Sequence, residues 1–333
     1  MTRPAIIVVG SYATGLTMKV DRLPHTGETL LGTGYRVDYG GKGSNQAVGC
    51  ARLGATVSFV AKIGKDAFGD MALQLHRDEG VDVSQVQQTT AAPTGVGFII
   101  VEASTGHNCI VLDPGANESL KPEDIDNAAQ SFSGARVVLT QLEIPVAAAG
   151  RALAMGRRQG AVTILNPAPV RPLPRSMLEL VDVLTPNETE AKVLVARKPN
   201  ESIEPVQLAR ELIELGVRQV VMTLGEKGAL IVTASSVKAV PAIEVLPVDT
   251  TGAGDAFNAG LAVALAMGEE LESAVGFAVV SGGLAVTREG VIPSLPNLDE
   301  IAGWIQHRHR TPPAWIQEAV AAQSKERSSK ISL

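Results

Sequence analysis

The feature that most constrains the fold is an alternation of short Val/Ile-rich runs with longer amphipathic stretches along most of the chain. A strand buried on both faces reads as a continuous apolar run, whereas the stretches between these runs have the period of helices. This rhythm predicts an α/β fold in which a doubly wound, mostly parallel sheet is flanked by helices. The runs predicted as strands are Ile6–Val9, Ser58–Ala61, Val137–Thr140, Val162–Leu165, Val181–Leu184 and Val220–Leu224.

Two segments interrupt the rhythm with short runs that mix polar and apolar residues, about 14–38 and 93–112. We predict that they form a small separate β-sheet, a lid, within a single domain that spans residues 1–311. Residues 312–333 are predicted as a C-terminal extension. It would contain one short helix, Ala314–Gln323, and a polar, partly mobile tail.

Composition narrows the choice of partners. The formal net charge of −6 disfavours nucleic acid and anionic membranes, and aromatic residues make up only 3% of the 333 residues, so stacking platforms for bases are scarce. Small polar substrates remain.

Cellular location is read from the cysteines and the apolar runs. Cys50 and Cys109 are too few and too far apart for a disulfide framework, which favours a reducing cytoplasm. The apolar run that ends at Gly10 suits a first strand better than a signal peptide. Acidic residues at 269, 270 and 272 interrupt the apolar stretch Ala256–Val286, which predicts two buried helices and not a membrane span.

The segment Asp249–Phe257, with the sequence DTTGAGDAF, carries the strongest indication of chemistry. Gly252, Ala253 and Gly254 are small enough to let backbone N–H groups converge on an anion at the start of a helix. Asp255 places a carboxylate beside that cradle, an arrangement suited to phosphoryl transfer in which the acid takes the proton of an acceptor hydroxyl. The alternative is a tight turn with a helix-capping aspartate.

A second glycine cluster, GGKGSNQA at residues 40–47, leads into another predicted helix. Its backbone can approach a ligand closely, while Lys42 and Asn45 offer donors for hydroxyl groups. Neither the Walker motif nor a full dinucleotide fingerprint occurs in the chain. A glycine turn capped by Asn45 is the structural alternative.

Further polar residues follow predicted strands, where ligands of doubly wound sheets bind. Glu143 follows Val137–Thr140, and Asn187 and Glu190 lie three residues apart at a predicted helix start. A capping arrangement explains that pair equally well. The glycine turn 223–228 suits either a β-hairpin or a phosphate contact.

Taken in order, five phrases closely resemble the ribokinase branch of the PfkB carbohydrate kinases, over about residues 6–294. They are GGKGSNQ at 40–46, NPAP at 166–169, TPNETEA at 185–191, TLGEKG at 223–228 and DTTGAGDAF at 249–257. The resemblance implies an ATP-dependent kinase for a primary hydroxyl of a small sugar or polyol. It also implies a β-lid that closes on the sugar and serves as the contact of a homodimer.

The resemblance further implies roles for particular residues. Asp255 would be the base and Gly252–Gly254 the anion hole. The acceptor would contact Gly41, Lys42, Asn45 and Glu143, and ATP with its Mg²⁺ would contact Asn187, Glu190, Thr223, Gly225 and Gly228. A monovalent cation, usually K⁺, would be held mainly by backbone carbonyls near Asp249, Thr251, Ala285, Arg288, Gly290 and Ser294.

One departure concerns the acceptor. Ribokinases carry Asn-x-Asp after the first strand, and the corresponding residues here are Ala13 and Gly15. Loss of a residue that binds a substrate hydroxyl changes the preference between that substrate and an analogue without the hydroxyl by several kcal/mol, roughly 10⁴-fold in favourable cases. Tyr12, Thr14 or Thr17 would have to compensate, or the acceptor is a different sugar, a polyol or a nucleoside. A binding sensor that has lost catalysis is the alternative from another functional class, although it would not need Asp255.

Overall fold

The computed structural model of the chain describes residues 3–198, 200–308 and 311–331. Its strands form a nine-stranded sheet in the order β13-β12-β11-β10-β9-β8-β1-β4-β5 and a four-stranded sheet in the order β3-β2-β6-β7. The strands are β1 (Ala5–Val9), β2 (Ala13–Val20), β3 (Thr33–Gly40), β4 (Thr56–Gly64), β5 (Val86–Thr89), β6 (Gly95–Glu102), β7 (Asn108–Asp113), β8 (Val137–Thr140), β9 (Val162–Leu165), β10 (Val183–Leu184), β11 (Gln219–Thr223), β12 (Ala229–Thr233) and β13 (Val237–Val240).

Helices cover both faces of the large sheet. They are α1 (Lys42–Arg52), α2 (Ala67–Asp78), α3 (Pro122–Asn127), α4 (Val146–Arg158), α5 (Arg175–Leu178), α6 (Glu188–Leu194), α7 (Pro205–Glu214), α8 (Ala253–Ala266), α9 (Leu271–Ala285), α10 (Val291–Ser294), α11 (Leu298–His307) and α12 (Ala314–Ile331). Short 3₁₀ turns lie at Gly115–Ser119, Ala129–Phe132 and Gly225–Lys227.

The predicted doubly wound sheet is confirmed. Strands β5, β4, β1, β8, β9, β10 and β11 run parallel, and only β12 and β13 at one edge pair antiparallel. The predicted bounds Val137–Thr140 and Val162–Leu165 agree with β8 and β9. Strands β12 and β13 were missing from the prediction. They form a hairpin on β11, one of the two structures that its glycine turn allowed.

Two core clusters lie on opposite faces of the large sheet. Ile6 and Val8 of β1 pack into one cluster with α1, α8 and α9, whereas Ile7 and Val9 pack into the other with α4 and α7. Alternate side chains of a strand point to opposite faces, so a continuous apolar run is what a doubly covered strand requires. The two buried helices predicted in Ala256–Val286 are α8 and α9.

The small sheet is the predicted lid. Strands β2 and β3 belong to its first predicted segment, and β6 and β7 belong to the second. Strand β3 continues almost directly into α1 through Gly41, whose φ is +89°. A Cβ at Gly41 would lie 2.6 Å from Cα of Tyr12, so only glycine lets the lid strand cross the chain this closely.

The C-terminal extension is more regular than predicted. One helix, α12, continues from Ala314 to Ile331, beyond the predicted end at Gln323, and the last predicted residues, 332 and 333, lie outside the described part of the chain. Trp315 packs on Phe277 of α9 with ring centroids 5.0 Å apart. The extension therefore joins the core on the face covered by α8 and α9. Within the described residues, no helix combines the length and the apolarity needed to cross a bilayer.

Candidate active site

Asp255 lies in the first turn of α8, and only 5% of its surface is exposed. Gly252 precedes the helix in a left-handed conformation with φ of +81°, where an added Cβ would lie 2.6 Å from Cγ1 of Val291. Ala253 opens the helix, and the amide groups of its first turn have no acceptor within the helix. The N-terminus of α8 therefore places the N–H groups of this turn and the positive end of a helix dipole beside a carboxylate, and the N–H of Ala253 donates to the carbonyl of Thr250 at 3.3 Å.

Two neighbouring amides of α1 hold that carboxylate. Asn45 donates from Nδ2 to Oδ2 of Asp255 at 2.8 Å, and Gln46 donates from Nε2 to Oδ1 at 2.9 Å. Each carboxylate oxygen thus has one protein donor, which fixes the orientation of the group. The buried Oδ1 of Asn45 has no hydrogen-bond partner among the described residues, so it is an acceptor that a ligand can satisfy.

Gln46 also ties Asp255 to the ends of the central strands. Its Nε2 lies 3.2 Å from Oδ1 of Asn166, and its Oε1 accepts from Gln141. Asn166 in turn donates to the carbonyl of Thr185 at 3.3 Å. These residues follow β8, β9 and β10, so the network fixes Asp255 relative to the carboxyl edge of the sheet.

Lys42 faces the acidic side of the same site. The backbone N of Lys42 donates to Oε2 of Glu143 at 2.8 Å, and Ser11 donates to the same oxygen at 2.6 Å. The charge of Asp255 is the main cause that raises the pKa of the Lys42 ammonium, with partial burial opposing it and Glu143 and Glu190 adding to it. A lysine influenced by three carboxylates is held in its charged form at the centre of the site.

Asn187 and Glu190 form a reciprocal capping box at the start of α6, as the capping alternative required. Asn187 Oδ1 accepts from the backbone N of Glu190 at 2.8 Å, and Glu190 Oε2 accepts from the backbone N of Asn187 at 2.9 Å. Burial raises the pKa of Glu190, while the Asn187 N–H and the charge of Lys42 lower it in part. The residues thus cap a helix and also face the charged centre of the site.

Thr223 and the glycine turn lie next to that cap. Thr223 ends β11, and its backbone N donates to the carbonyl of Pro186 at 3.0 Å. The turn that joins β11 to β12 includes Gly225, with φ of +58°, and Gly228, with φ of +95°. A Cβ at Gly225 would meet no atom within 4 Å among the described residues. The predicted ATP-binding residues therefore follow neighbouring strands at the same edge of the sheet.

The predicted cation-binding residues come from two loops joined by Asp249. Its Oδ1 accepts from the backbone N of Thr251 at 2.9 Å, and its Oδ2 accepts from the backbone N of Gly290 at 3.0 Å. Burial would raise the pKa of Asp249, but these N–H donors and the charge of Arg36 lower it overall.

The other predicted members of this group lie in or beside the second loop. Ala285 is buried at the end of α9, and Ser294 is buried in α10, where its hydroxyl donates to the carbonyl of Val291 at 2.8 Å. The side chain of Arg288 donates to Glu300 at 2.8 Å, so it contributes no cation-binding group. Within the described residues, no three His, Cys, Asp or Glu side chains are grouped to hold a metal ion.

The departure at Ala13 and Gly15 lies at the start of β2 in the lid. Tyr12 and Thr14 are fully buried, and their hydroxyl oxygens lie 3.2 Å apart, so they bind each other. In this structure the two hydroxyls are therefore directed at each other. Thr17 is the remaining candidate, and it donates to Oδ2 of Asp38 at 3.3 Å.

Sequence reasoning missed several residues of this site, namely Ser11, Gln46, Gln141 and the buried pair Thr185–Asn258. The available signal was position: Gln46 follows Asn45 directly, and Gln141 begins the segment that carries Glu143. Consecutive residues of a helix point about 100° apart, so a shared target for Asn45 and Gln46 was not expected.

Known proteins are similar to this chain over most of its length. Residues 3–298 match the pfkB family carbohydrate kinase model. The chain is 33% identical over 305 residues to a ribokinase of Haemophilus influenzae, covering 92% of this chain and 99% of that protein. It is 35% identical over 297 residues to a deoxyribokinase of Salmonella typhimurium, covering 89% of this chain and 96% of that protein.

Solved structures give the same picture. The ribokinase of Thermotoga maritima superposes with a TM-score of 0.84 at 36% identity, covering 91% of this chain and 99% of that one. The Arabidopsis thaliana ribokinase complexed with ribose and ATP superposes with a TM-score of 0.85 at 32% identity, covering 91% of this chain and 98% of that one. The chain belongs to the pfkB family of carbohydrate kinases.

Proposed function

We propose that this protein transfers the γ-phosphoryl group of ATP to a primary hydroxyl of a small sugar or polyol, with Asp255 as the general base. The observation that carries the proposal is the orientation of one buried carboxylate by Asn45 and Gln46 at the N-terminus of α8. The plant ribokinase, which has a similar fold, is complexed with ribose and ATP, and this supports the same reaction.

The reaction needs a base and a cradle for charge. Asp255 accepts the proton of the acceptor hydroxyl as its oxygen bonds to the γ-phosphorus, and the bond from that phosphorus to the leaving ADP oxygen breaks. The amide groups of Gly252, Ala253 and Gly254 donate to the oxygens on which negative charge accumulates. Because these donors belong to the start of a regular helix, little reorganisation is needed during the reaction.

The acceptor is bound on the α1 side of Asp255. Gly41 and Lys42 supply backbone close to the ligand, while Asn45 and Glu143 supply side-chain oxygens that accept from hydroxyl groups. The unpaired Oδ1 of Asn45 supports this assignment, since a buried acceptor without a partner costs about 1–3 kcal/mol that a substrate hydroxyl recovers.

The nucleotide is bound on the α6 side. Asn187, Glu190, Thr223, Gly225 and Gly228 follow neighbouring strands and border the charged centre at Lys42. Mg²⁺ is usually held by one or two carboxylates together with phosphate oxygens and water, and Glu190 fits that donor type. When bound, Mg²⁺ neutralises charge on the transferred phosphoryl group.

A monovalent cation fits the loops at Asp249 and Gly290. Ala285 and Ser294 border these loops, and Asp249 supplies a negative charge next to the backbone of Thr251. Bound K⁺ would complement the carbonyl groups beside the anion hole. We expect faster turnover in KCl than in tetramethylammonium chloride. Equal rates in the two salts would remove K⁺ from the proposal.

Release of ADP from ATP in the presence of pentoses, deoxypentoses, tetroses, polyols and nucleosides tests the reaction. We expect Asp255→Asn to abolish turnover of the best acceptor while ATP binding, measured by calorimetry, is retained. Asp70→Asn, an exposed carboxylate of α2, is the matched control. Near-normal kcat in Asp255→Asn would refute the base. A nucleoside as best acceptor would make the protein a nucleoside kinase, and tight sugar binding without turnover would make it a sensor.

The lid supports a homodimer. Val37, Leu16, Phe98 and Val111 are neighbours across its strands on one face, and the last two are more than half exposed. Light scattering is expected to report a dimer that Phe98→Glu dissociates. A monomeric wild-type protein would refute the contact. We place the reaction in the cytoplasm, which the free Cys50 and Cys109 support.

A further inference from the structure

The lid has a face directed towards the active site, which we call the inner face. It carries Ala13, Gly15 and Thr17 of β2 and, opposite them on β3, Gly40, Asp38 and Arg36. Residues directly opposite each other in an antiparallel pair project to the same side of the sheet, and alternate residues share a side.

Arg36 connects this face to a loop of the candidate site. Arg36 Nη1 lies 3.0 Å from Oε1 of Glu289, and the adjacent Gly290 binds Asp249. Alternating with these residues, Tyr39 of β3 packs on the opposite side, against the cluster that includes Tyr12.

The inner face lacks a side-chain hydrogen-bonding group at both β2 positions where ribokinase-like sequences place Asn and Asp. Gly15 pairs directly with Asp38, and a Cβ built at Gly15 would lie 3.7 Å from Cβ of Asp38. A carboxylate is therefore present at this place on the face, but it comes from β3. The short Cβ–Cβ separation means that a hydroxyl group near Gly15 is within reach of the Asp38 side chain.

Asp38 is held ready to accept a hydrogen bond. Arg36 Nε donates to its Oδ2 at 2.7 Å, and Thr17 Oγ1 donates to the same oxygen at 3.3 Å. A carboxylate has about four acceptor sites on its two oxygens, so Oδ1 remains for a ligand. The side chain is 36% exposed, which leaves it accessible to a ligand.

Resting on the proposed sugar kinase function, we propose that Asp38 is the acceptor-binding carboxylate of this protein and replaces the one absent at Gly15. The substrate class is a sugar or polyol that binds against the inner face and has a hydroxyl group that donates to Asp38. Thr17 and Arg36 position the carboxylate. Asp38 is thus a specificity-determining residue for the same reaction and not part of the phosphoryl-transfer machinery.

The test uses Asp38→Asn, which keeps shape but removes the charge, and the double variant Asp38→Ala with Gly15→Asp, which moves the carboxylate to β2. A Cβ at residue 15 would lie 3.3 Å from the movable end of Ile99 and 3.7 Å from the Cβ and the carbonyl oxygen of residue 38. Asp21→Asn, an exposed lid carboxylate, is the matched control. For each protein, kcat and KM are measured with the best acceptor and its deoxy analogues, together with KM for ATP and the melting temperature.

We expect Asp38→Asn to raise the KM of the acceptor by about 10- to 100-fold, the range for a hydrogen bond to a charged group, with KM for ATP unchanged. The variant should also lose the preference for the acceptor over one deoxy analogue, because that analogue lacks the hydroxyl that Asp38 binds. The double variant should recover most of the loss. A merely structural role would weaken all acceptors alike and would not depend on one hydroxyl.

Other outcomes would overturn the proposal. One is an acceptor KM in Asp38→Asn equal to that in Asp21→Asn; another is equal loss with every deoxy analogue. A preference for an aldonic acid that Arg36→Gln removes and Asp38→Asn leaves intact would assign recognition to Arg36. If no acceptor is phosphorylated, the proposed function fails separately; calorimetric sugar binding then decides, since equal binding by wild type and Asp38→Asn overturns the assignment of Asp38.

Discussion

The buried ring of His76, which packs on Phe59 and Tyr12, predicts a pH dependence of stability that can be measured. Its ring is 1% exposed, stacks on Phe59 with centroids 4.7 Å apart, and meets Tyr12 edge-on at 6.2 Å. Nδ1 lies 2.7 Å from the carbonyl of Ala72, so it carries the proton of the neutral ring. Nε2 is buried without a hydrogen-bond partner among the described residues. Protonation there would place a charge and a donor in apolar surroundings.

This burial lowers the pKa of His76 from 6.5 to about 4, against smaller opposing effects from Ala72 and Glu79. The unfolded ring therefore takes up a proton at a higher pH than the folded one. The neutral ring's contribution to stability is complete above the unfolded pKa and is lost as the pH falls towards the folded pKa. By linkage the loss is about 2 kcal/mol between roughly pH 8 and pH 5, and about 3 kcal/mol below about pH 4.

The perturbation is His76→Leu, which removes the titration but keeps an apolar side chain. Urea unfolding followed by circular dichroism gives the free energy of unfolding at both pH values. We expect the decrease between them to be about 2 kcal/mol smaller in His76→Leu than in wild type. His25→Asn, an exposed histidine of the lid, is the control and should behave as wild type. An equal decrease in wild type and His76→Leu would refute the reasoning.

Two further predictions concern the site and the extension. Gln46→Leu removes a hydrogen-bond donor from Asp255 and should lower kcat by about 10- to 100-fold without changing the KM for ATP. The control is Gln74→Leu at an exposed position, and an equal kcat of the two variants in steady-state kinetics would contradict a positioning role for Gln46. Trp315→Ala should lower the free energy of unfolding in urea by about 3–5 kcal/mol because it removes the contact with Phe277, and Trp315→Phe should lower it much less. A negligible decrease in Trp315→Ala would show that α12 does not stabilise the core.

The large sheet could be predicted because a strand that is buried on both faces is a continuous apolar run in the sequence. Strands β8 and β9 are short apolar runs whose neighbours change abruptly in polarity, and their bounds agree with the sequence prediction. Strand β13 has no continuous buried apolar run, because it lies at the sheet edge and most of its residues are exposed. The polar half of α12 was also missed, since polarity alone does not distinguish a helix from a tail.

The site was predicted in part for a related reason. Residues at strand ends and helix starts, such as Asp255 and Glu190, are recognised from local spacing because a helix start imposes local geometry. Gln46 was not, since its role depends on how α1 and α8 pack, and packing is not encoded in spacing along one helix. The carboxylate at Asp38 was missed because it depends on pairing between two strands.

The difference between Asp255 and Asp38 explains why the reaction and the acceptor must be inferred separately. Asp255 is fixed by donors from α1, which packs on the core, so a shift of its position would disturb many buried contacts. On the lid, by contrast, Gly15 and Asp38 project to nearly the same place from two strands. A carboxylate can move between such positions while the backbone and Asp255 stay in place. We therefore infer the acceptor of this chain from the paired strands β2 and β3, and not from the residues of β2 alone.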